Sequence, residues 1–320
     1  MTRPGASGPA LKLRIGSRPS PLALAQGAIV KAQLEAVLPG LAAEVVPIST
    51  SGDRMATAAL AQIGGKGLFI RELEQALSAG TIDLAVHSMK DLPAILAPPY
   101  RIAAVPPREN PRDALLTRDG TGWDALARGA RLGTSSARRQ FEALRLRPDL
   151  EVIPLRGNVD TRLRRLAAGD FDAIMLAVAG LKRLGRIDGL NFTELDDRDF
   201  VPSAGQGALA IETLAESRPH GSVEVEQAIT RLNDPASAAE VTAERAFLAR
   251  IGASCVSPVG VKGTLSRDRL ALRALLFSLD GAESLEGEID QPASDDPTAL
   301  GEQLGAQMLA RGARTLIGER

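Results

Sequence analysis

Apolar runs of strand length alternate with amphipathic stretches of helix length through residues 11–185. That alternation confines the chain to α/β architectures, because each strand must be covered by the helix that follows it. Residues 11–15 (LKLRI) have strand character, and Gly16-Ser17-Arg18-Pro19 makes a turn. Ser20 before Pro21 has the form of an N-cap with proline at the first helical position. The helix it opens runs to about Val37 and stops before Pro39-Gly40. A strand at 44–49, the loop Gly64-Gly65-Lys66-Gly67, a helix at 68–79 and a strand at 82–87 complete the first cycle, which ends in Ser88-Met89-Lys90-Asp91.

A second cycle begins near Pro111. Its strands are expected at 113–117, 151–155 and 172–178 and its helices at 123–129, 137–146 and 159–168; residues 130–133 lead into Gly133-Thr134-Ser135-Ser136, and a further segment lies at 179–185. Residues 202–213 read as a further strand with a Gly-rich entry. A long helix follows at 234–251, then three alternating runs at 258–263, 269–277 and 282–289, which predict an antiparallel sheet, and a closing helix at 297–311. The expected fold is therefore α/β, with two lobes of mixed sheet and a smaller C-terminal α+β unit. In lobed α/β proteins the ligand cleft lies at the carboxyl ends of the strands.

Composition narrows the function classes. A length of 320 residues suits two or three domains, and 44% hydrophobic with 24% charged residues is a soluble globular profile. A formal net charge of -1 and 3% aromatic residues weigh against nucleic-acid binding, which favours basic excess and stacking rings. No apolar run reaches spanning length. The first ten residues lack the apolar core of a secretory signal, so the expected compartment is the cytoplasm. One cysteine, Cys255, excludes an internal disulfide framework, and with His87 and His220 it forms no zinc pattern; no metal is expected.

Of the 38 basic residues, six are Lys and 32 are Arg. Base composition alone can produce such a bias, so position decides its meaning. The cations gather where strands end: Arg18, Lys90, the pair Arg138-Arg139, Arg156 with Arg162, and Lys182-Arg183. Arg138 and Arg139 fall in the first turn of a helix opened by Thr134-Ser135-Ser136, where the helix dipole disfavours positive charge unless an anion lies nearby. Arginine forms planar bidentate pairs with carboxylates and phosphates. No phosphate-cradling G-x-x-x-x-G-K-[ST] loop is present, so a carboxylate-rich ligand fits better. Asp91 lies among these cations; it can stabilise a developing positive charge or serve as a turn residue. Cys255 sits in a loop, Gly252-Ala253-Ser254-Cys255-Val256-Ser257-Pro258, where a thiol can act as a nucleophile.

The segments Arg18-Pro19-Ser20-Pro21-Leu22-Ala23-Leu24, Gly64-Gly65-Lys66-Gly67-Leu68-Phe69, His87-Ser88-Met89-Lys90-Asp91, Gly133-Thr134-Ser135-Ser136 with Arg138-Arg139, and Leu155-Arg156-Gly157-Asn158 resemble the signatures of the hydroxymethylbilane synthase (porphobilinogen deaminase) family. Leu176 to Arg183, Gly205-Gln206-Gly207 and Cys255-x-x-Pro258 continue the series. Together they span the chain from about residue 11 onward in the family's order.

The resemblance implies two lobes like periplasmic binding proteins, residues 1–107 with 207–228 and residues 108–206, and a third domain at 229–320. It implies a transferase of porphyrin and heme biosynthesis that joins four porphobilinogen molecules head to tail and releases ammonia and a linear tetrapyrrole. Cys255 would carry a dipyrromethane cofactor through a thioether, contacted by Ser20, Lys90, Ser136, Arg138 and Arg139. Asp91 and Lys90 would be catalytic; Arg18, Gln26, Arg156, Arg162 and Arg183 would bind substrate; Lys66 and Phe69 would lie on a lid. A monomer with no nucleic-acid or membrane partner is implied. Ala253-Ser254 stands where the family often has two glycines before the cysteine. An anion-binding protein of the periplasmic type would share the lobes, but it would need neither a loop thiol nor a third domain.

Overall fold

The computed structural model describes residues 11–54, 70–216, 222–253 and 257–318, so Lys66, Phe69 and Cys255 lie outside the described residues. In chain order the elements begin with β1 (Leu11–Ser17), α1 (Pro21–Val37), β2 (Leu41–Pro47), α2 (Ser51–Arg54), α3 (Arg71–Ser78), β3 (Leu84–Ser88) and β4 (Tyr100–Ala104). They continue with β5 (Asp113–Thr117), β6 (Arg131–Gly133), α4 (Ala137–Leu146), β7 (Glu151–Ile153), α5 (Val159–Ala167), β8 (Ala173–Ala177), α6 (Val178–Arg183) and β9 (Phe192–Glu194). The last are β10 (Leu209–Leu214), α7 (Val223–Arg231), α8 (Pro235–Ile251), β11 (Val259–Ser266), β12 (Arg269–Phe277), β13 (Ser284–Pro292), α9 (Pro297–Ala310) and α10 (Ala313–Leu316). Internal contacts divide the chain into two compact units: Met1–His87 with Ala97–Val105 and Ala210–Asp234, and Ser88–Leu96 with Pro106–Leu209 and Pro235–Arg320.

The first unit is built on a five-stranded sheet of order β2-β1-β3-β10-β4. β1 runs parallel to β2 and β3, whereas β10 and β4 are antiparallel. Ser20 caps α1 by accepting the Ala23 N–H at 3.3 Å, and Pro21 supplies the first turn, as the sequence predicts. Leu73, Leu77, Ile82 and Ala85 pack together beneath the sheet.

The second unit holds another five-stranded sheet, of order β7-β6-β8-β5-β9. Each sheet thus sets three parallel strands side by side, β2-β1-β3 and β7-β6-β8, and closes with an antiparallel pair, β10-β4 and β5-β9. One local device recurs as well. Asp83, just before β3, accepts the Arg14 backbone N–H at 2.7 Å and the Arg14 guanidinium at 2.8 Å; Asp172, just before β8, does the same for Arg131 at 2.8 and 3.2 Å. The second sheet is covered on both faces. Leu115, Leu132 and Met175 point into one apolar cluster, and Ala114, Leu116, Ile174 and Leu176 into another, which is the period-two pattern of strands buried on both sides.

The same unit contains the antiparallel sheet β11-β12-β13, whose inner face packs on α8 and α9 through Leu270, Leu272, Ala274, Phe247 and Leu304. Two α/β lobes of mixed sheet and a smaller antiparallel region are therefore present, as expected. The strand expected at 202–213 begins only at Leu209: Gly205 and Gly207 have φ of 69° and 88°, and residues 202–208 form a loop. The helix expected at 123–129 is a single 3-10 turn, Trp123–Ala125.

Candidate functional site

The end of β3 leads directly into two residues the sequence marks as candidates, Lys90 and Asp91. Lys90 and Asp91 close a 3-10 turn, Met89–Asp91, directly after the strand. Met89 is buried and its N–H donates to the Ala208 carbonyl at 3.0 Å. This anchor leaves Lys90 half-buried and Asp91 exposed. Lys90 Nζ donates to Gln206 Oε1 at 3.3 Å. Burial first, then the charge of Arg139, lowers the Lys90 pKa to about 8, although Asp91 and Asp113 oppose the shift.

The loop 203–208 is moulded against that turn. At Gly205 a Cβ would come within 2.4 Å of Met89 Cγ, and at Gly207 within 2.2 Å of the Glu109 carbonyl oxygen, so both positions need glycine on space as well as on φ. Arg108 holds the loop from behind. Its Nε donates to the Gln206 carbonyl at 2.9 Å, and its guanidinium pairs with buried Glu244 at 2.7 Å. Glu244 also accepts the Gly205 and Gly263 N–H groups, at 2.6 and 2.7 Å, which ties this loop to the start of the antiparallel sheet.

Arg138 and Arg139 lie in the first turn of α4, capped by Ser136, whose Oγ accepts the Arg139 N–H at 3.5 Å. The helix dipole is opposed by an anion, and the structure supplies it from inside. Asp113, fully buried at the start of β5, accepts from Arg138 Nη2 at 2.7 Å and from Arg139 Nη2 at 2.7 Å and Nε at 3.1 Å. Burial works against its ionisation, but the two guanidinium groups outweigh that and hold its carboxyl well below the usual range. Arg138 also donates to Glu142 at 2.7 Å and to the Val201 carbonyl at 2.8 Å. Glu142 is fully buried, Arg138 and Asp113 act on it in opposite senses, and burial pushes it up to about 8.

Three further cations behave differently. Arg156 is exposed after β7. Arg162, half-buried on α5, donates its Nε to the Gly157 carbonyl at 2.8 Å, and Arg183, half-buried at the end of α6, donates to the Gly207 carbonyl at 2.6 Å. Among the described residues none of the three forms an ion pair with a carboxylate. Burial, followed by the charge of Arg139, lowers Arg162 to about 10, and burial lowers Arg183 to about 10 against the pull of Glu109. Both stay charged near neutral pH, half-buried and without a carboxylate ion-pair partner among the described residues.

The remaining expected residues belong to the first unit. Arg18 pairs with Asp53, Nε to Oδ1 at 3.1 Å; Ser20 is the α1 cap; Gln26 is buried on α1. Reading the sequence missed Asp113, Glu142, Gln206 and Arg108 as parts of the site. The available signal was the Gly205-Gln206-Gly207 triplet, whose flanking glycines mark a backbone that approaches something closely.

Half-buried cations that lack carboxylate partners among the described residues lie in the same unit as an exposed carboxylate and an amine of lowered pKa, a set of charges that suits a carboxylate-bearing ligand. Comparison with known proteins names the family. Residues 13–220 match the dipyromethane cofactor-binding domain of porphobilinogen deaminase, and residues 238–310 match the C-terminal domain of the same enzyme. A porphobilinogen deaminase from Roseiflexus sp. is 46% identical over 306 residues, covering 95% of this chain and 98% of the relative. Those from Syntrophotalea carbinolica and Syntrophobacter fumaroxidans are each 44% identical, covering 95% and 96% of this chain and 95% and 97% of theirs. The chain belongs to the porphobilinogen deaminase family of transferases, with that family's dipyrromethane-binding domain.

Proposed function

We propose that this chain deaminates porphobilinogen and joins four molecules of it head to tail, releasing hydroxymethylbilane and ammonia. The observation that carries the reading is the pair of half-buried arginines, Arg162 and Arg183, which lack carboxylate partners among the described residues. A cation in that state gains from an anionic ligand, and porphobilinogen carries an acetate and a propionate. The donor set fits a dipyrromethane for the same reason: its side chains are carboxylates. Arg156, Arg162 and Arg183 would hold such side chains, and Cys255 would anchor the group. When bound, the cofactor supplies the pyrrole carbon from which the chain is extended.

The protein's own residues supply the rest. Asp91, exposed at the end of a turn fixed by Met89, presents a carboxylate to the positive charge that develops as the aminomethyl nitrogen leaves. Lys90, with a pKa of about 8, can hold or release a proton near neutral pH. Arg162 and Arg183 orient the substrate through its carboxylates, which places the departing amine without a contact to the reacting carbon. The sheets support a reading of three domains, 1–107 with 207–228, 108–206 and 229–320, since each segment centres on its own sheet. A cytoplasmic monomer acting on a small molecule, without nucleic acid or membrane, completes the reading; among the described residues no helix is long and apolar enough to cross a membrane.

The test is an intact mass of the purified chain, followed by incubation with porphobilinogen. An excess of two linked pyrrole units that disappears in Cys255→Ser, with ammonia released on turnover, is the expected result. An unmodified protein that gains no adduct and releases no ammonia would end the proposal.

A further inference from the structure

Gln206 is nearly inaccessible, at 1% exposure, yet every polar atom of its side chain is engaged. Its Nε2 donates to Asp113 Oδ1 at 2.8 Å and to the Pro111 carbonyl at 2.7 Å; its Oε1 accepts from Lys90 Nζ at 3.3 Å and from Ser203 Oγ at 3.4 Å. The orientation of the amide is set by these partners. Ionised Asp113 and a carbonyl can only accept, so the nitrogen must face them and the oxygen must face Lys90. The backbone beneath is fixed by Arg108 through the Gln206 carbonyl and by Glu244 through the Gly205 N–H.

We propose that Gln206 is a positioning residue for the deaminase reaction: it links buried Asp113 to Lys90 and fixes the Lys90 amine with a neutral acceptor. This deepens the function proposed above and rests on it. The neutrality of the acceptor is the point. Lys90 is faced by Arg138 and Arg139 from α4, by Asp113 from β5 and by Asp91 from its own turn. A carboxylate in place of the Gln206 amide would add a matched counterion and keep the ammonium protonated to higher pH. An apolar side chain would remove the acceptor and leave the amine among cations. Glutamine holds it in place and leaves its proton available.

The test uses the full chain labelled at the lysine ε-carbons. Six lysines are few enough for Lys90 to be assigned by its loss in Lys90→Arg. Gln206→Met should move the Lys90 titration midpoint down, and Gln206→Glu should move it up by about one unit or more. In turnover, Gln206→Met should lower kcat roughly tenfold with little change in KM, and the alkaline limb of the pH profile should follow the titration in both variants. Midpoints that stay at the wild-type value, or that move the same way in both variants, overturn the proposal; a loss of thermal stability alone would mark Gln206 as purely structural. If Gln206→Met does not fold, the upward shift in Gln206→Glu decides the matter alone. Wild-type protein that turns over no porphobilinogen would end the functional reading and leave the two lysine titrations interpretable.

Discussion

Arg138 and Arg139 belong to the same unit as Arg162 and Arg183, and all four were expected to receive ligand carboxylates. Their settings differ sharply. Arg138 and Arg139 are 4% and 7% exposed, and buried Asp113 answers both. Arg162 and Arg183 are half-buried and, among the described residues, donate to the backbone carbonyls of Gly157 and Gly207 rather than to a carboxylate. The first pair meets its counterion inside the protein and shapes the site. On the function proposed above, the second keeps its charge for a ligand. A buried Arg–Asp pair returns little net stability, because desolvation offsets attraction, yet removing one partner is severe because it strands the other. A desolvated arginine without a counterion is a standing cost that an anionic ligand removes.

The comparison breaks most readily at Asp113. Asp113→Asn leaves Arg138 and Arg139 buried beside each other and beside Lys90, and also weakens the hold on Gln206. We expect a loss of about 3–5 kcal/mol in unfolding free energy by urea titration. A loss below about 1 kcal/mol would mean that the two guanidinium groups find another anion, and that the paired and unpaired arginines are not distinct classes.

Arg162→Gln and Arg183→Gln test the other half. Each removes a half-buried cation that has no carboxylate partner among the described residues, so the melting temperature should hold or rise. Catalysis should suffer: a hydrogen bond to a charged group contributes about 1.5–3 kcal/mol, so kcat/KM should fall roughly ten- to a hundredfold, mainly through KM. A fall in stability with unchanged KM would place these residues with Arg138.

Much of this was legible in the chain, because α/β alternation is a local pattern. The N-cap expected at Ser20 forms, since a side chain that bonds to an N–H three residues later needs nothing from the rest of the fold. Several elements were not legible, α7, β4 and β9 among them. α7 begins Val223-Glu224-Val225-Glu226, whose strict alternation imitates a strand, and only the Ser222 cap and the buried face of Val225, Ala228 and Ile229 reveal a helix. β4 and β9 are edge strands of five and three residues, too short to show a period.

At the site, the clustering of cations at strand ends was legible and their division into two classes was not. Asp113 lies 25 residues from Arg138, and nothing near either residue announces the pairing. Asp113 opens an otherwise apolar strand, Asp113-Ala114-Leu115-Leu116-Thr117, and reads there as a turn residue. Only the tertiary fold turns it into the counterion of two arginines.

The smallest effect sharpens the picture of the paired class. Glu142 meets Arg138 through Oε2, while its buried Oε1 has no hydrogen-bond partner among the described residues. Burial raises its pKa to about 8, and Arg138 lowers it too little to restore the ordinary value. A carboxyl with a folded pKa above its unfolded one binds more protons in the folded state, so its contribution is complete below the unfolded pKa and is lost as pH rises toward 8. Lys90 acts in the other direction at higher pH: its folded pKa of about 8 lies below the free value of 10.5, so it favours folding increasingly as pH climbs between them. Two windows follow, a decline from about pH 4.5 to about 8 governed by Glu142 and a partial recovery above about 8 governed by Lys90. Glu142→Gln copies the protonated form, so urea midpoints across this range should decline less in the variant below about pH 8 and recover as in wild type above it. Identical declines in variant and wild type would show Glu142 ionised throughout, and Arg138 would then be matched by two carboxylates rather than one.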